Sequence, residues 1–295
     1  MAGIRVGIIG GAGLVEALVG PSKADPHLIE TPFGPPAGPL LTLERDGMSL
    51  VLLARHGSGH QLSPTRVPYR ANLFALKVLG VTHVLACGTA GSLREHIQPR
   101  HLVIPDQVID RTYRRPCTFY DDLAVHVEMA SPFCETLRQV LIRASEGNNT
   151  QVHTQGTYVC MEGPALSTRA ESLMYRSWGG DLVGMTAMPE AKLAREAELH
   201  YALVVLPTDY DGWQPQGDAE PEALGAALRE TRLATSADGL ALIRRALSRI
   251  ATVPQACRCD SALAAGIWSD RGRIPNEVRT RLRPLLGKYL PPEVV

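Results

Sequence analysis

Two aspartates separated by a single residue, Asp209 and Asp211, stand in "LPTDYDGW" directly after the apolar run "YALVV". If the segment stays extended, residues i and i+2 project to one side, so both carboxylates face the same space. Two acids sharing a site raise one pKa, and partial burial raises it further. Such a pair holds a proton near neutrality and passes it to a leaving group. "DYDG" alone also fits an exposed Asx turn. A second constellation, "RHGSGH", sets Arg55, His56 and His60 among two glycines at the end of another apolar run. Arginine offers a planar fork for a bidentate oxyanion contact and histidine adds a donor; the alternative for Arg55 is a surface ion pair. Gly57 and Gly59 disfavour the helix that a zinc site from His56 and His60 would need.

Other motifs narrow the chemistry. "GIIGGAG" departs from the dinucleotide pattern G-x-G-x-x-G, because Glu16 occupies the position three after Gly13. What remains is a tight turn, or a strand-end turn whose backbone N–H groups face an anion. The nucleophile pattern G-x-S-x-G and the deaminase pattern H-x-E…C-x-x-C are both absent.

The elements that must position these residues alternate. "IRVGIIG", "SLVLLARHG", "VTHVLACGTAGSL", "HLVIPDQVID" and "HYALVVLP" read as strands. "VPYRANLFALKVLG" reads as a helix stopped by Gly80. "SPFCETLRQVLIRA" reads as a helix capped by Ser131, with Pro132 at its first position. Thr168 and Glu171 form a T-x-x-E capping box for "RAESLMYRSWG", and "MPEAKLAREAEL" is a further helix. After a polar loop at 212–221, "EALGAALRETRLATSADGLALIRRALSRI" is one long helix or two. Strands bounded by such helices imply an α/β fold with a parallel or mixed sheet covered on both faces. Ligands in such folds bind beyond the carboxyl ends of strands. "GGAG", "RHG", "GTAGS" and "TDYD" all fall there.

Composition excludes several classes. The 295 residues are 45% hydrophobic, and 30 Lys+Arg balance 30 Asp+Glu. Zero net charge leaves no basic face for nucleic acid and no tail for anionic membranes. No stretch reaches the ~18 apolar residues of a membrane span, and "MAGIRVGIIGG" reads as a first strand and turn, not a signal peptide. Six scattered cysteines argue against a disulfide framework and for a cytoplasmic protein. No second Cys/His pair lies near "CRC" (Cys257, Cys259) in sequence, so no metal site is expected. "CRC" reads as a tail feature or, alternatively, a strained local disulfide.

Taken together, the chain resembles the 5′-methylthioadenosine phosphorylase branch of the trimeric purine nucleoside phosphorylases. The resemblance rests on "GIIGGAGL", "ETPFGPP", "VLLARHGSGH", "YRANLFALKVLGVTHV", "GSLRE", "PDQVIDRT", "SPFC", "MEGPALSTRAES", "GMTAMPEAKLAREAELHYA" and "TDYDGW", collinear over about residues 4–250. It implies a single-domain nucleoside phosphorylase fold over 1–250, a mixed central sheet flanked by helices, with 251–295 as a C-terminal extension packed on the same domain. It implies a homotrimer acting on a small nucleoside, with phosphate as co-substrate and no metal or organic cofactor. Carried over by position, Arg55, His56 and Thr186, with Gly11, Ala12, Gly88 and Thr89, would hold phosphate. Met185 would lie along the ribose, and Leu166, Ser167, Ala90 and Gly91 would border the substrate. His60 and His126, the latter from a neighbouring subunit, would border the 5′ end of the sugar. Asp209 would protonate or hydrogen-bond purine N7, and Asp211 would accept from the 6-amino group.

Three residues depart from that pattern. Ala12 stands where Ser or Thr is usual, Gly88 where a second phosphate-binding hydroxyl is usual (Thr89 being a neighbouring substitute), and Leu166 where a Phe packs on the purine. Loss of both hydroxyls would weaken phosphate binding by about 3–5 kcal/mol, unless backbone amides compensate. Two alternatives to phosphorolysis follow: a phosphate-independent nucleoside hydrolase, or a weakly active adenosine-binding homologue.

Overall fold

In the computed structural model, which describes residues 4–214, 221–250 and 257–291, strands and helices alternate as the apolar periodicity implies. The first half contains β1 (Arg5–Gly10), α1 (Ala12–Val19), β2 (Asp25–His27), β3 (Leu40–Arg45), β4 (Met48–Ala54), α2 (Tyr69–Val78) and β5 (His83–Ser92). Short β6 (Leu102–Val103) and β7 (Gln107–Arg111) precede α3 (Glu135–Ala144), β8 (Val152–His153) and β9 (Thr157–Met161). Next come α4 (Arg169–Ser177), β10 (Leu182–Gly184), α5 (Glu190–Glu196) and β11 (His200–Tyr210). Helices α6 (Pro221–Ile250), α7 (Asn276–Arg281) and α8 (Arg283–Leu286) complete the chain.

All eleven strands belong to one mixed sheet. β1 lies between β4 and β5, parallel to both, and β11 runs parallel along the whole of β5. β10 is antiparallel to β5 and leads outward to β9 and β7, while β11 leads to β6 and β8. One consequence of this order governs the site. β1 pairs with β5 only as far as Ile9↔Ala86, and β10 begins pairing only at Val183↔Gly91. Cys87–Ala90 therefore face a gap between two strand ends. Backbone polar groups in such a gap need other partners.

The sheet's faces carry two apolar cores. One joins α2 and α5 to Leu263, Ile267, Ile274, Val278, Leu282, Leu285, Leu286 and Leu290. The other packs Val15 and Leu18, Leu137 and Leu141, Leu242, Ile243 and Ala246 against β1, β4, β5 and β11. C-terminal residues thus share a core with the central sheet; the expected boundary at 250/251 touches residues outside the described ones.

Several local expectations hold. Gly80 (φ 75°) ends α2, its N–H reaching Lys77 O and that of Val81 reaching Leu76 O. The Thr168–Glu171 capping box forms reciprocally. "EALGAALRETRLATSADGLALIRRALSRI" is a single helix, although 215–220 of the preceding loop lie outside the described residues. Two expectations are corrected. "HLVIPDQVID" is broken into β6 and β7, because Pro105 cannot donate to a ladder. Ser131 does not cap α3: the Cys134 N–H is engaged by Tyr201 O, so the helix starts after Cys134, whose Sγ accepts from Leu137 N–H at 3.5 Å. Short β2, β3, β8, β9 and β10 were not foreseen.

The carboxyl end of α5 carries a titratable stability element. Glu196 Oε2 accepts from Phe119 N–H at 2.8 Å, and burial pushes its pKa up to about 7. An unfolded glutamate titrates near ~4.3, so the folded state holds the extra proton between those values. The stability this contributes is complete below the unfolded pKa and is lost as pH rises through about 7. Between pH 5 and 8, the wild type should lose about 1–3 kcal/mol relative to Glu196→Gln in urea unfolding. Parallel pH profiles would exclude this role for Glu196.

Candidate active site

The gap on β5 is lined by four strand ends at one level. Gly10 pairs with Ala54 at the ends of β1 and β4, and Ile9 pairs with Ala86. Continuing that register sets Gly11, Arg55 and Gly88 side by side, on strands spaced about 4.8 Å apart. From the other direction, Val183↔Gly91 on antiparallel β10 continues to Thr186 opposite Gly88. The side chains obey this count. A Cβ on Gly88 would lie 3.2 Å from Thr186 Oγ1 and 3.9 Å from Arg55 Nη1. Glycine keeps this corner open.

Arg55 is 1% exposed, so the surface ion pair is excluded. Its fork is not free for an oxyanion either. Nε and Nη2 donate to Glu190 Oε2 and Oε1 at 2.7 and 2.8 Å, and Nη1 caps the orphaned carbonyl of Cys87 at 2.8 Å. Burial opposes the charge, but Glu190 outweighs it and holds the guanidinium protonated above its usual range. The bidentate contact expected for an anion is therefore made with Glu190. Of its five N–H groups, one on Nη1, beside Gly88, and one on Nη2 are not used in these bonds.

His56 Nδ1 lies 2.7 Å from Leu62 O, which can only accept, so Nδ1 carries the proton. Burial first, then the charge of Arg55, lowers the His56 pKa to about 4. A neutral ring with Nδ1–H engaged offers an Nε2 lone pair. The donor of His56 is thus spent on Leu62 O, and its Nε2 is left as an acceptor. His60, exposed, stacks on it at 4.1 Å. Gly57 and Gly59, both with positive φ, keep the segment out of a regular helix, as expected.

"GGAG" completes this end. α1 starts at Ala12, and its N-cap Gly11 provides no side-chain hydrogen bond. Helix geometry leaves the amides of Ala12 and Gly13 without intrahelical acceptors, and the dipole favours an anion there. Thr89 cannot replace a hydroxyl at position 88: side-chain alternation along β5 aims it to the other face.

The acid pair lies further along the same two strands. Asp209 pairs with Gly91 after a bulge that skips Thr208, three β5 residues beyond Gly88, or about 10 Å. The segment stays extended to Tyr210, and Asp211 N–H continues to Ser92 O, so no Asx turn forms at Asp209. Burial, and then the charge of Asp211, raises the Asp209 pKa against a 2.6 Å hydrogen bond from Thr208 Oγ1. Asp211 is 9% exposed, and its Oδ2 is buried without a hydrogen-bond partner. Its Cβ lies 3.1 Å from where Gly91 would carry one, so a side chain there would crowd Asp211. The neighbouring aromatics pin this strand end: Trp213 Nε1 donates to Ser92 O and Tyr210 OH to Glu95 O.

Residues 5–244 match the phosphorylase superfamily. The chain is 44% identical over 288 residues to the S-methyl-5′-thioadenosine phosphorylase of Geobacter sulfurreducens, covering 97% of this chain and 99% of that one. Its backbone superposes on a methylthioadenosine phosphorylase from an antarctic soil metagenomic library with a TM-score of 0.89 at 39% identity, covering 97% and 100% of the two chains. It superposes on the Schistosoma mansoni methylthioadenosine phosphorylase in complex with adenine with a TM-score of 0.78 at 33% identity, covering 89% and 96%. The chain belongs to the phosphorylase superfamily.

Other candidate residues of this phosphorylase fall into two groups. Met185 follows β10 into the gap. Gly163 (φ 68°) packs on it so closely that a Cβ would lie 2.5 Å from Met185 Sδ. Ala90 is buried beside them on β5. Ser167 Oγ donates to Met161 Sδ, and its carbonyl borders Gly212 next to Asp211. Leu166, by contrast, is 79% exposed, and His126 lies against exposed Trp268 at 4.4 Å on the C-terminal segment. Neither joins the strand-end constellation within one chain.

Four residues that the sequence did not single out hold the site together. Arg115 forms a buried pair with Glu162 and donates to the carbonyls of Met185 and Met188, fixing the turn that carries Thr186. Burial would raise the Glu162 pKa, but donors from Tyr113, Thr65, Arg114 and Arg115 prevail and lower it. Tyr201 OH donates to Glu190 Oε1 at 2.8 Å, beside Arg55. Each is an ordinary charged or phenolic residue until the fold pairs it across the sequence. Glu190→Ala leaves Arg55 buried without its counter-charge and should cost about 3–5 kcal/mol, read as a lowered thermal midpoint. An unchanged midpoint would show that the pair does not support the fold.

Proposed function

We propose that this superfamily member is a pentosyltransferase that cleaves the N-glycosidic bond of 5′-methylthioadenosine, or a related 5′-modified adenine nucleoside, with phosphate. The products are adenine and a 5-modified ribose 1-phosphate. One observation carries the substrate class: the buried, unpartnered Asp211 Oδ2 beside Asp209, about 10 Å along β5 from the uncapped start of α1. A buried carboxyl oxygen there with no other partner suits the exocyclic amino group of adenine, and a raised-pKa carboxyl suits N7.

The chemistry follows from charge. Bond cleavage builds positive charge on the ribose and negative charge on the purine. Asp209 donates its proton to N7 as the base departs. Phosphate, held by the Ala12 and Gly13 amides, Thr186 Oγ1 and the Arg55 Nη1 edge, attacks C1′ from the opposite side. Nε2 of His56 accepts from a protonated phosphate oxygen. Donors fixed in advance where charge develops are usually the largest catalytic contribution. The open amides of α1 offset the hydroxyls missing at Ala12 and Gly88, which favours phosphorolysis over hydrolysis. No reaction component demands a metal or organic cofactor. In an expected homotrimer, His126 of a neighbouring chain, with His60, would border the 5′ substituent. Among the described residues no helix is long and apolar enough to cross a membrane.

Incubation with 5′-methylthioadenosine should release adenine and a sugar 1-phosphate only when phosphate is present. Equal release in phosphate-free buffer, with free sugar as product, would replace this reading with hydrolysis. Asp209→Asn should lower kcat by about 10²–10⁴-fold with a smaller change in KM. Because the acid must be protonated, wild-type kcat should fall as pH rises through the raised Asp209 pKa, and the Asn variant should lack that limb. A retained limb in the variant would assign the acid elsewhere.

A further inference from the structure

Far from the strand-end site, three segments bring together the ligand set that the sequence keeps apart. Cys134 precedes α3, His200 opens β11, and Cys257 and Cys259 form the "CRC" of the tail. The expectation that no Cys/His pair lies near "CRC" is corrected by the fold. Their three Sγ atoms and one ring nitrogen all lie within 4.8 Å of one another. Cys134 Sγ is 3.3 Å from His200 Nδ1 and 3.6 Å from Cys257 Sγ, and the Cys257 and Cys259 sulfurs are 3.4 Å apart. All the cysteines are free thiols. Tetrahedral bonds of about 2.3 Å to sulfur and 2.0–2.1 Å to nitrogen require ligand–ligand edges of about 3.4–3.8 Å. These three separations lie at or next to that range, and the others stay within 4.8 Å.

We infer that Cys134, His200, Cys257 and Cys259 form a structural site for a thiophilic divalent cation, zinc by its chemistry. Three thiols and an imidazole are the soft, four-ligand set that selects zinc in a closed site with no open position. Cys134 is the N-cap of α3, where the helix dipole and the Leu137 N–H both stabilise a negative sulfur. The positive charge of Arg195 lies near Cys259. It would offset the net −1 of three thiolates around a dication. Cys134, His200 and Cys259 are buried, and Cys257 is half-buried. Burial of this kind limits exchange once the ion is in place. The ion would tie the C-terminal segment to β11 and α3, and this inference is independent of the nucleoside reading.

The test is metal content per chain in the full-length protein purified under reducing conditions from zinc-supplemented culture. About one zinc per chain is expected, released by a mercurial thiol reagent and replaceable by cobalt(II) with thiolate-to-metal charge-transfer and tetrahedral d–d bands. Cys257→Ser should lower metal content by roughly tenfold or more, while Cys117→Ser, exposed and outside the cluster, should not. Should Cys257→Ser fail to fold, the wild type alone decides, because chelation by a strong zinc ligand should lower its thermal midpoint and zinc should restore it. Metal-free protein that cobalt cannot load would overturn the inference. So would a Cys257–Cys259 disulfide in peptides from freshly lysed, thiol-blocked cells, or equal metal content in wild type and Cys257→Ser.

Discussion

The buried ion pair of Arg55 and Glu190 is the constraint on which the strand-end site depends. Taking a guanidinium and a carboxylate out of water costs several kcal/mol each, and only near-complete hydrogen bonding offsets it. The structure supplies that bonding. Arg55 gives two donors to Glu190 and one to Cys87 O, and Tyr201 OH adds a donor to Glu190. The four residues lie immediately after β4 and in α5, β5 and β11, so the pair fixes the spacing of three strands and one helix at once. It also closes the open edge of β5 on the carbonyl side at Cys87. An unfilled gap there would orphan backbone groups in the core.

Pairing Arg55 with Glu190 changes how this end attracts an anion. The two charges cancel locally, and His56 with a pKa of about 4 is neutral at ordinary pH. In the proposed reaction, attraction of phosphate would therefore rely on oriented dipoles: the amides of Ala12 and Gly13, Thr186 Oγ1 and one edge of a guanidinium. Dipoles fixed by the fold need little reorganisation when charge develops. They also bind a dianion less tightly than a free cation would. An arrangement of this kind suits a co-substrate that must be released as product, more than one that must be retained.

What was legible in the sequence depended on the range of the interaction. The acid pair was readable because strand alternation is local: Asp209 and Asp211 face one side wherever the segment stays extended. The capping box at Thr168 and the stop at Gly80 were readable for the same reason. Arg55 was singled out, but Glu190, which takes its bidentate contact, lies 135 residues away and was not legible locally. The donor of His56 meets Leu62 O through a turn with positive φ at Gly57, Gly59 and His60, which the sequence alone does not display. The α3 cap was misplaced by one long-range bond, from Cys134 N–H to Tyr201 O. Arg115 and Glu162 gave no signal at all, since nothing near either residue marks it as buried.

β11 unites these observations. It begins at His200, beside the cysteines, passes Tyr201 beneath the ion pair, and ends at Asp209 and Tyr210. Its parallel pairing with β5 is unbroken from His200↔His83 to Pro207↔Ala90, and the one irregularity falls immediately before the catalytic candidate. A regular strand of that length, about 3.3 Å per residue, holds the two ends roughly 30 Å apart with little freedom. The bulge then gives Asp209 a local adjustment that the rest of the strand forbids. Rigidity over most of β11 and one permitted deviation at its end leave Asp209 buried, with its pKa raised, at the point where the proposed reaction would place the departing base.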